Sequence, residues 1–301
     1  VEDEIIIPTL YKRYSMININ DEKRILSVLA HPDDEAFGMG GTLALYASRG
    51  VEVYLACATL GEAGDIPSEF QQNFASSADL RESELDCSAK DLGLKQVFKL
   101  GFRDSGMEGS PDNQNPNALV ARPMEEVVES IARVMREVRP QVVLTFDPVG
   151  GYFHPDHIRV HQATVIAFER VRQELHETDP LALSRLYFHT MPKSSAKVAV
   201  FWMRLRGKDP RKIGRNGDIN LVEIASQSFP VHVKVSYLPV YDQRQAAAAC
   251  HASQGGGKAP FGLSARLMKI FSKPVDRFMQ GYPEPKPNQR LQSDLFWGMD
   301  A

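Results

Sequence analysis

The feature that most restricts this chain is a repeated exchange between two hydrophobic periods. Residues 24–30 read Arg-Ile-Leu-Ser-Val-Leu-Ala, a short and almost unbroken apolar run. That is the pattern of a strand buried on both faces. His31-Pro32 stops it. Over 35–49 the apolar residues recur at helical spacing until Gly50, and 51–60 returns to a run rich in Val and Leu. Strand, helix and strand in immediate succession make a βαβ unit, whose strands run parallel through a right-handed crossover.

The exchange continues. A helix is predicted over 80–92, closed by Gly93, then a short strand over 97–100 and a polar loop over 101–117. Met124, Val127, Val128, Ile131, Val134, Met135 and Val138 form one helical stripe over 124–138. Pro140 ends it. A strand follows over 141–145, a helix over 158–175 and a strand over 186–189. Alternation of this kind predicts an α/β fold, a Rossmann-like, doubly wound and mainly parallel sheet with helices on both faces. Beyond residue 190 the periodicity loosens. Residues 193–206 are ambiguous, 222–225 and 231–235 suit a short helix and a strand, 242–253 suits a helix, and the run from Gln254 to Gly257 is a break. The expected organisation is therefore an N-terminal extension or cloning remnant over 1–15, a catalytic core over 16–190, and a C-terminal cap over 191–301 that packs on the core and bears on substrate choice.

Composition narrows the function. With 43% hydrophobic and 24% charged residues, the 301-residue chain has material for a real core. A net charge of −3 offers no strong field to nucleic acid or an anionic membrane. The basic cluster Arg204-Leu205-Arg206-Gly207-Lys208 reads as a solvated loop. Cys57, Cys87 and Cys250 are far apart and odd in number, so no disulfide framework is expected; no C-x-x-C pair exists, so a metal must be held by His and carboxylate. No apolar run is long enough for a spanning helix, and no signal pattern opens the chain, which makes a cytoplasmic protein the default. Nothing fixes the oligomeric state, and a homo-oligomer is compatible.

The residues that carry chemistry lie in two loops that leave strand ends, where open α/β sheets bind ligands. The first is His31-Pro32-Asp33-Asp34-Glu35. The second runs from Phe146 to His157, with Asp147, Tyr152, His154, Asp156 and His157. A catalytic zinc takes about three ligands from His and carboxylate and keeps a position open. His31 and Asp34, three apart, suit one ion, and His157 completes the set. Asp33 then remains as general base. His154, one turn before His157, suits oxyanion stabilisation or proton transfer to a leaving amine, and Tyr152 suits a phenol hydrogen bond. Asp156 and Asp147 suit the positions behind the imidazoles. The plainer alternatives are that Asp33, Asp34 and Glu35 cap the following helix, that His154 and His157 are surface residues of a first turn, and that Asp147 forms a turn before Pro148. His161 reads as a supporting histidine; His176, His189 and His232 read as structural. Arg81 and Asp104, at the same rim, suit recognition of vicinal hydroxyls, with a surface ion pair between Arg81 and Glu84 as the alternative.

These residues resemble a known family. Ala30-His31-Pro32-Asp33-Asp34-Glu35 and Gly150-Gly151-Tyr152-Phe153-His154-Pro155-Asp156-His157 are similar to the two metal motifs of the PIG-L/LmbE-type N-acetylglucosaminyl deacetylases. Thr59-Leu60-Gly61-Glu62, Arg81-Glu82-Ser83-Glu84-Leu85, Phe102-Arg103-Asp104-Ser105-Gly106-Met107 and Cys250-His251-Ala252-Ser253-Gln254 resemble further recurrent stretches, so the likeness spans about residues 24–255. It implies a Rossmann-like fold, a Zn2+ site (Fe2+ or another divalent ion being the alternatives) ligated by His31, Asp34 and His157, Asp33 as base, His154 as electrostatic and acid partner, Tyr152 at the oxyanion, and Arg81 and Asp104 at the sugar. It also implies hydrolysis of an N-acetyl amide on an amino sugar or glycoconjugate, such as precursors of mycothiol and bacillithiol. A sister group that cleaves mycothiol conjugates typically has a lysine shortly after the first motif; here Ala36-Phe37-Gly38-Met39 stands there. That conjugate amidase is one alternative, and a carbohydrate-binding protein without turnover is another. A nucleotide-dependent enzyme is disfavoured, because Gly38-x-Gly40-Gly41 falls inside the helix rather than ahead of it.

Overall fold

Strand β1 (Arg24–Leu29) buries Ile25, Leu26, Val28 and Leu29 completely. Each such side chain contributes about 1.5–3 kcal/mol by leaving water, and burial on both faces is why the run is continuous rather than alternating. In the computed structural model, which describes residues 23–64, 66–71, 74–179, 181–190, 193–213, 217, 219–256 and 274–299, β1 lies at the middle of the parallel part of the sheet. The expected extension over 1–15 lies outside the described residues.

β1 pairs in parallel with β2 (Glu52–Cys57) on one side and β4 (Val142–Phe146) on the other. β3 (Gln96–Lys99) adds to β2 and β5 (Arg185–His189) adds to β4, again in parallel. β6 (Val233–Ser236) and β7 (Val275–Tyr282) complete seven strands among the described residues, in the order β3-β2-β1-β4-β5-β7-β6, with β7 antiparallel to both neighbours. The mainly parallel α/β sheet is the one the sequence predicts, and the C-terminal region extends its edge.

The helices are α1 (Asp34–Phe37), α2 (Gly40–Ser48), α3 (Ser68–Gln71), α4 (Ser77–Leu92), α5 (Met124–Val138), α6 (Gly150–Phe153), α7 (Pro155–Leu175), α8 (Lys193–Leu205), α9 (Leu221–Ser226) and α10 (Tyr241–Cys250). Crossovers toward β3 and crossovers toward β5 place helices on opposite faces. α2, α4 and α10 pack together, and α5 packs on α7. The stripe read on α5 is its buried face: Val127, Val128, Ile131, Val134, Met135 and Val138 are all buried. The cap signals of α4 also hold, with the Ser76 hydroxyl accepting from the Asp79 N–H and Gly93 closing the helix at φ 75°.

Three features differ from the sequence reading. The single helix expected over 35–49 is two, because Met39 at φ −123° leaves the helical region between α1 and α2. Strand β7 was not predicted: its run Val-Asp-Arg-Phe-Met-Gln-Gly-Tyr places Asp276 and Gln280 inward, which hides the apolar period. Asp276 is tolerated there because the Thr42 N–H and hydroxyl donate to its carboxylate at 2.8 and 2.7 Å. Finally, Cys87 on α4 and Cys250 at the end of α10 form a disulfide across 163 residues. Separation along the chain hid this pair, since only the packing of α4 on α10 brings the thiols together. Protein denatured without reductant should therefore show one titratable thiol per chain, that of buried Cys57, and three after reduction; a thiol-reagent titration checks this.

Candidate metal and active site

In the order β3-β2-β1-β4-β5 the direction of sheet growth reverses between β1 and β4. The loops leaving the carboxyl ends of those two strands part there and leave a crevice. Both motif loops exit at that point. His31 follows β1, His157 lies in the first turn of α7 after β4, and His31 Nδ1 and His157 Nε2 stand 3.2 Å apart across 126 residues of sequence. Asp34 completes a triangle, with Oδ1 3.3 Å from His157 Nε2 and Oδ2 3.6 Å from His31 Nδ1.

The outer nitrogens determine which atoms face inward. His157 Nδ1 lies 3.1 Å from the carbonyl of Gly150, an acceptor only, so Nδ1 carries the proton and Nε2 presents a lone pair. His31 Nε2 faces Asp156 Oδ2 at 3.1 Å and Asp104 Oδ1 at 3.4 Å, which likewise holds a proton on that outer nitrogen and turns Nδ1 toward His157. Two ring nitrogens and the Asp34 carboxylate thus converge in one site. Tetrahedral ligands at zinc bond lengths of about 2.0–2.1 Å stand roughly 3.3–3.4 Å apart, and the three spacings here bracket that value. The donor set fits a divalent cation. His154 also brings a ring nitrogen within 4.8 Å of those of His31 and His157, while each of those two imidazoles has an Asp34 oxygen within 3.6 Å.

Without a cation the charges compensate locally. Burial opposes protonation of His31, but Asp104, Asp156 and Asp34 outweigh it and raise its pKa well above the ordinary value. Burial would raise Asp34, yet His157 and His31 hold it well below the usual carboxylate range, and His31 does the same for Asp104. His157 is pushed down to about 4 by burial.

Asp33 is held differently. It sits at φ 113°, ψ −29°, a region that L-residues rarely adopt and that costs about 1–3 kcal/mol. Its N–H donates to Glu35 at 3.0 Å, and its carbonyl accepts from the Phe37 N–H at 2.9 Å. Its carboxylate Oδ2 takes a 3.0 Å bond from Arg81. Burial, opposed by Arg81 and reinforced by Asp34, pushes the Asp33 carboxyl up to about 7.

Arg81 does not pair with Glu84. It is 4% exposed and donates to the carbonyls of Pro32 and Gly61 as well as to Asp33. Gly61, at φ 70°, is required here, because a Cβ would lie 1.9 Å from the Arg81 Nη1. Asp104, also 4% exposed, stands behind His31 and accepts from the N–H groups of Gly106 and Ala63. The two residues read as sugar contacts are thus engaged with the motif loops. Asp156 is fully buried and links His31 to the Ser105 N–H at 3.0 Å. Asp147 takes the turn-forming alternative, accepting from the N–H groups of Val149 and Gly151.

His154 caps α7: its Nδ1 accepts from the Asp156 N–H at 3.2 Å, which leaves the proton on Nε2. Burial and the neighbouring His31 and His157 lower its pKa well below the ordinary value, so it is neutral. It therefore offers an N–H donor rather than an imidazolium. Tyr152 stands edge-on to both His154 and His157, and burial raises its phenol pKa strongly, keeping the O–H as a donor. His161 supports from behind, with Nδ1 2.9 Å from the carbonyl of Phe146. His232 accepts from the Gln280 N–H.

Sequence reasoning missed an inner brace. Glu35 is completely buried and accepts from Ser88 and from His251, 216 residues away, while Glu84 accepts from the N–H and hydroxyl of Ser253. The acid-rich motif made Glu35 visible, and His251, Ser253 and Glu84 lie in stretches that resemble the family, but nothing in the sequence paired them. A cavity of about 660 Å³ opens from Asp33, Asp34 and His157 toward the C-terminal region, where His189, Arg244 and Arg277 line it. His189, read as structural, thus faces the cavity, its pKa lowered to about 4 by burial.

Residues 26–168 match the family model described as PIG-L: GlcNAc-PI de-N-acetylase. The chain is 32% identical to a 1D-myo-inositol 2-acetamido-2-deoxy-alpha-D-glucopyranoside deacetylase of Acidothermus cellulolyticus, covering 93% of this chain and 96% of the relative. A protein of the same name from Rhodococcus jostii is 35% identical over 92% of this chain and 99% of its own. Among solved structures, the N,N'-diacetylchitobiose deacetylase from Pyrococcus horikoshii shares the fold, with a TM-score of 0.54 at 20% identity over 86% of this chain and 83% of its own.

Gly150 tests how the second loop aims His157. At φ 63° it tolerates no side chain well, and a Cβ would lie 2.6 Å from the His157 Cβ. Gly150→Ala should displace that imidazole and weaken divalent-ion binding by about tenfold or more, read by competition with a chromogenic chelator; unchanged affinity would refute the assignment.

Proposed function

Because this chain belongs to the PIG-L family of deacetylases, we propose that its crevice hydrolyses the N-acetyl amide of a glucosaminyl glycoside, with His31, Asp34 and His157 holding zinc. The observation that carries the reading is the meeting of three residues, with the His31 and His157 nitrogens 3.2 Å apart and one Asp34 oxygen 3.3 Å from His157 and the other 3.6 Å from His31, with Asp33 beside them. Two imidazoles and a carboxylate suit zinc, with iron(II) as the runner-up. A divalent ion bound there supplies Lewis acidity, lowering the pKa of water and polarising the acetyl carbonyl.

The remaining work falls to the chain's own residues. Asp33, ionised, accepts a proton from the attacking water, and Arg81 aims its carboxylate. The His154 Nε2–H and the Tyr152 O–H donate to the oxygen that gains charge as the carbonyl carbon becomes tetrahedral. Asp33 then returns the proton to the amide nitrogen, the C–N bond breaks, and the free amine leaves with acetic acid, which gives up its remaining proton to solvent to become acetate. Asp156 and Asp104 keep the His31 proton on its outer nitrogen throughout. For the substrate, the relatives are named for 1D-myo-inositol 2-acetamido-2-deoxy-alpha-D-glucopyranoside, and we carry that glycoside to this chain. The cavity, about 660 Å³, is large enough for a disaccharide-sized ligand.

The test is an assay for free amine and acetate from that glycoside. Chelation should abolish turnover and zinc should restore it. Asp33→Asn should retain the metal and lose about 10²–10⁴-fold in kcat; a fully active variant would remove Asp33 as base. Asp33 must be ionised to act, so kcat/KM should fall as pH drops through its folded pKa. That limb lies at or below about 7, since a bound dication favours the carboxylate. A rate that rises on acidification instead would contradict the assignment.

A further inference from the structure

Helix α8 carries two apolar faces. One, with Val200 buried, packs toward α9, where Ala225 is also buried. The other is formed by Val198, Phe201, Trp202 and Leu205, which are 55%, 58%, 50% and 62% exposed. Their spacing of i, i+3, i+4 and i+7 places them on one stripe, opposite the packed face. The core does not need this stripe, and isolated exposed apolar residues would not align in this way.

The surroundings are basic. From Lys197 to Lys212 the chain has six cationic residues, Lys197, Arg204, Arg206, Lys208, Arg211 and Lys212, against one acid, Asp209. All six are exposed, in a chain whose net charge is −3. Lys197 and Arg204 flank the stripe at helical spacing. The Arg206 guanidinium stands 5.6 Å from the Trp202 ring, and Phe201 packs edge-on to Trp202 at 5.9 Å. The cluster that reads in sequence as a solvated loop is thus the cationic margin of an aromatic stripe.

We propose that α8 docks this protein on an anionic lipid surface, lying in the plane of the interface. A helix with Trp, Phe and Leu on one side and Lys and Arg along its margin is built for that boundary: rings enter the headgroup region while cations meet anionic headgroups. Nucleic acid would not require the four-residue apolar stripe. A protein groove would not require six cations along its edge. No described helix is long and apolar enough to cross a membrane, so the contact is peripheral. It also orients the catalytic cavity. α9 packs on α6, which carries Tyr152, and Ile219, paired with Ile213 after α8, lines the cavity.

The experiment uses the full chain with Trp297→Phe, which leaves Trp202 as its single indole. Vesicles of phosphatidylcholine alone are compared with vesicles containing phosphatidylglycerol. The expected result is co-flotation and a blue shift of Trp202 fluorescence with the anionic vesicles only, weakened by salt. In the otherwise native chain, Phe201→Ser with Trp202→Ser should lower the bound fraction by about tenfold, with the circular dichroism spectrum and turnover of a soluble N-acetylglucosaminide unchanged. Arg204→Gln with Arg206→Gln should weaken binding while leaving the stripe intact. Failure to bind anionic vesicles, equal binding by the Ser variants, or a solution dimer that those variants dissolve would overturn the proposal. Flotation is read without substrate, so its failure is separable from failure of the deacetylase reading.

Discussion

Two imidazole nitrogens 3.2 Å apart, each within 3.6 Å of a different oxygen of the Asp34 carboxylate, form the interaction on which the rest of the site depends. Such a cluster is repulsive in a dry cleft unless a proton or a cation lies between its members. The chain meets that cost with strong support from behind. The Gly150 carbonyl and the Asp156 and Asp104 carboxylates each hold a proton on an outer imidazole nitrogen, so the inner nitrogens are aimed at one point and a cation there would displace the inner proton of His31.

Asp33 depends on the same preparation. Its unusual backbone angle persists because Glu35, Phe37 and Arg81 each hold a different atom of the residue. Glu35 in turn is anchored by Ser88 and His251, and Glu84 is anchored by Ser253. The C-terminal region therefore braces the first motif loop as well as forming an edge of the sheet. The disulfide between Cys87 and Cys250 ties together the two helices that contribute Ser88 and lead into His251. Backbone strain at Asp33 and the brace that sustains it lie on different elements.

Much of the fold was legible because parallel strands buried on both faces and amphipathic helices have different periods. β1, β2, β4, α4 and α5 all fall where that exchange places them. β7 escaped because an antiparallel strand with Asp276 and Gln280 turned inward has no clean period. Of the site, the two motifs were legible because each packs several ligand-type side chains at a strand end. Glu35's partners were not, and neither were the cavity position of His189 or the bonds that turn Arg81 and Asp104 toward the motif loops, because each depends on residues far apart in sequence. The protonation of His154 was also hidden: its neutral state follows from burial beside two other imidazoles.

The order and type of the chemistry-bearing residues, and the strand ends they occupy, were determined by the sequence alone, since both follow from local periodicity and spacing. Which of them meet was decided only by the tertiary structure. The reversal of sheet growth between β1 and β4 opens the crevice, and the packing of α10 on α2 and α4 brings His251 to Glu35. Spacing along a chain constrains what one turn can hold, but distances between remote segments are set by how layers of buried side chains fill space.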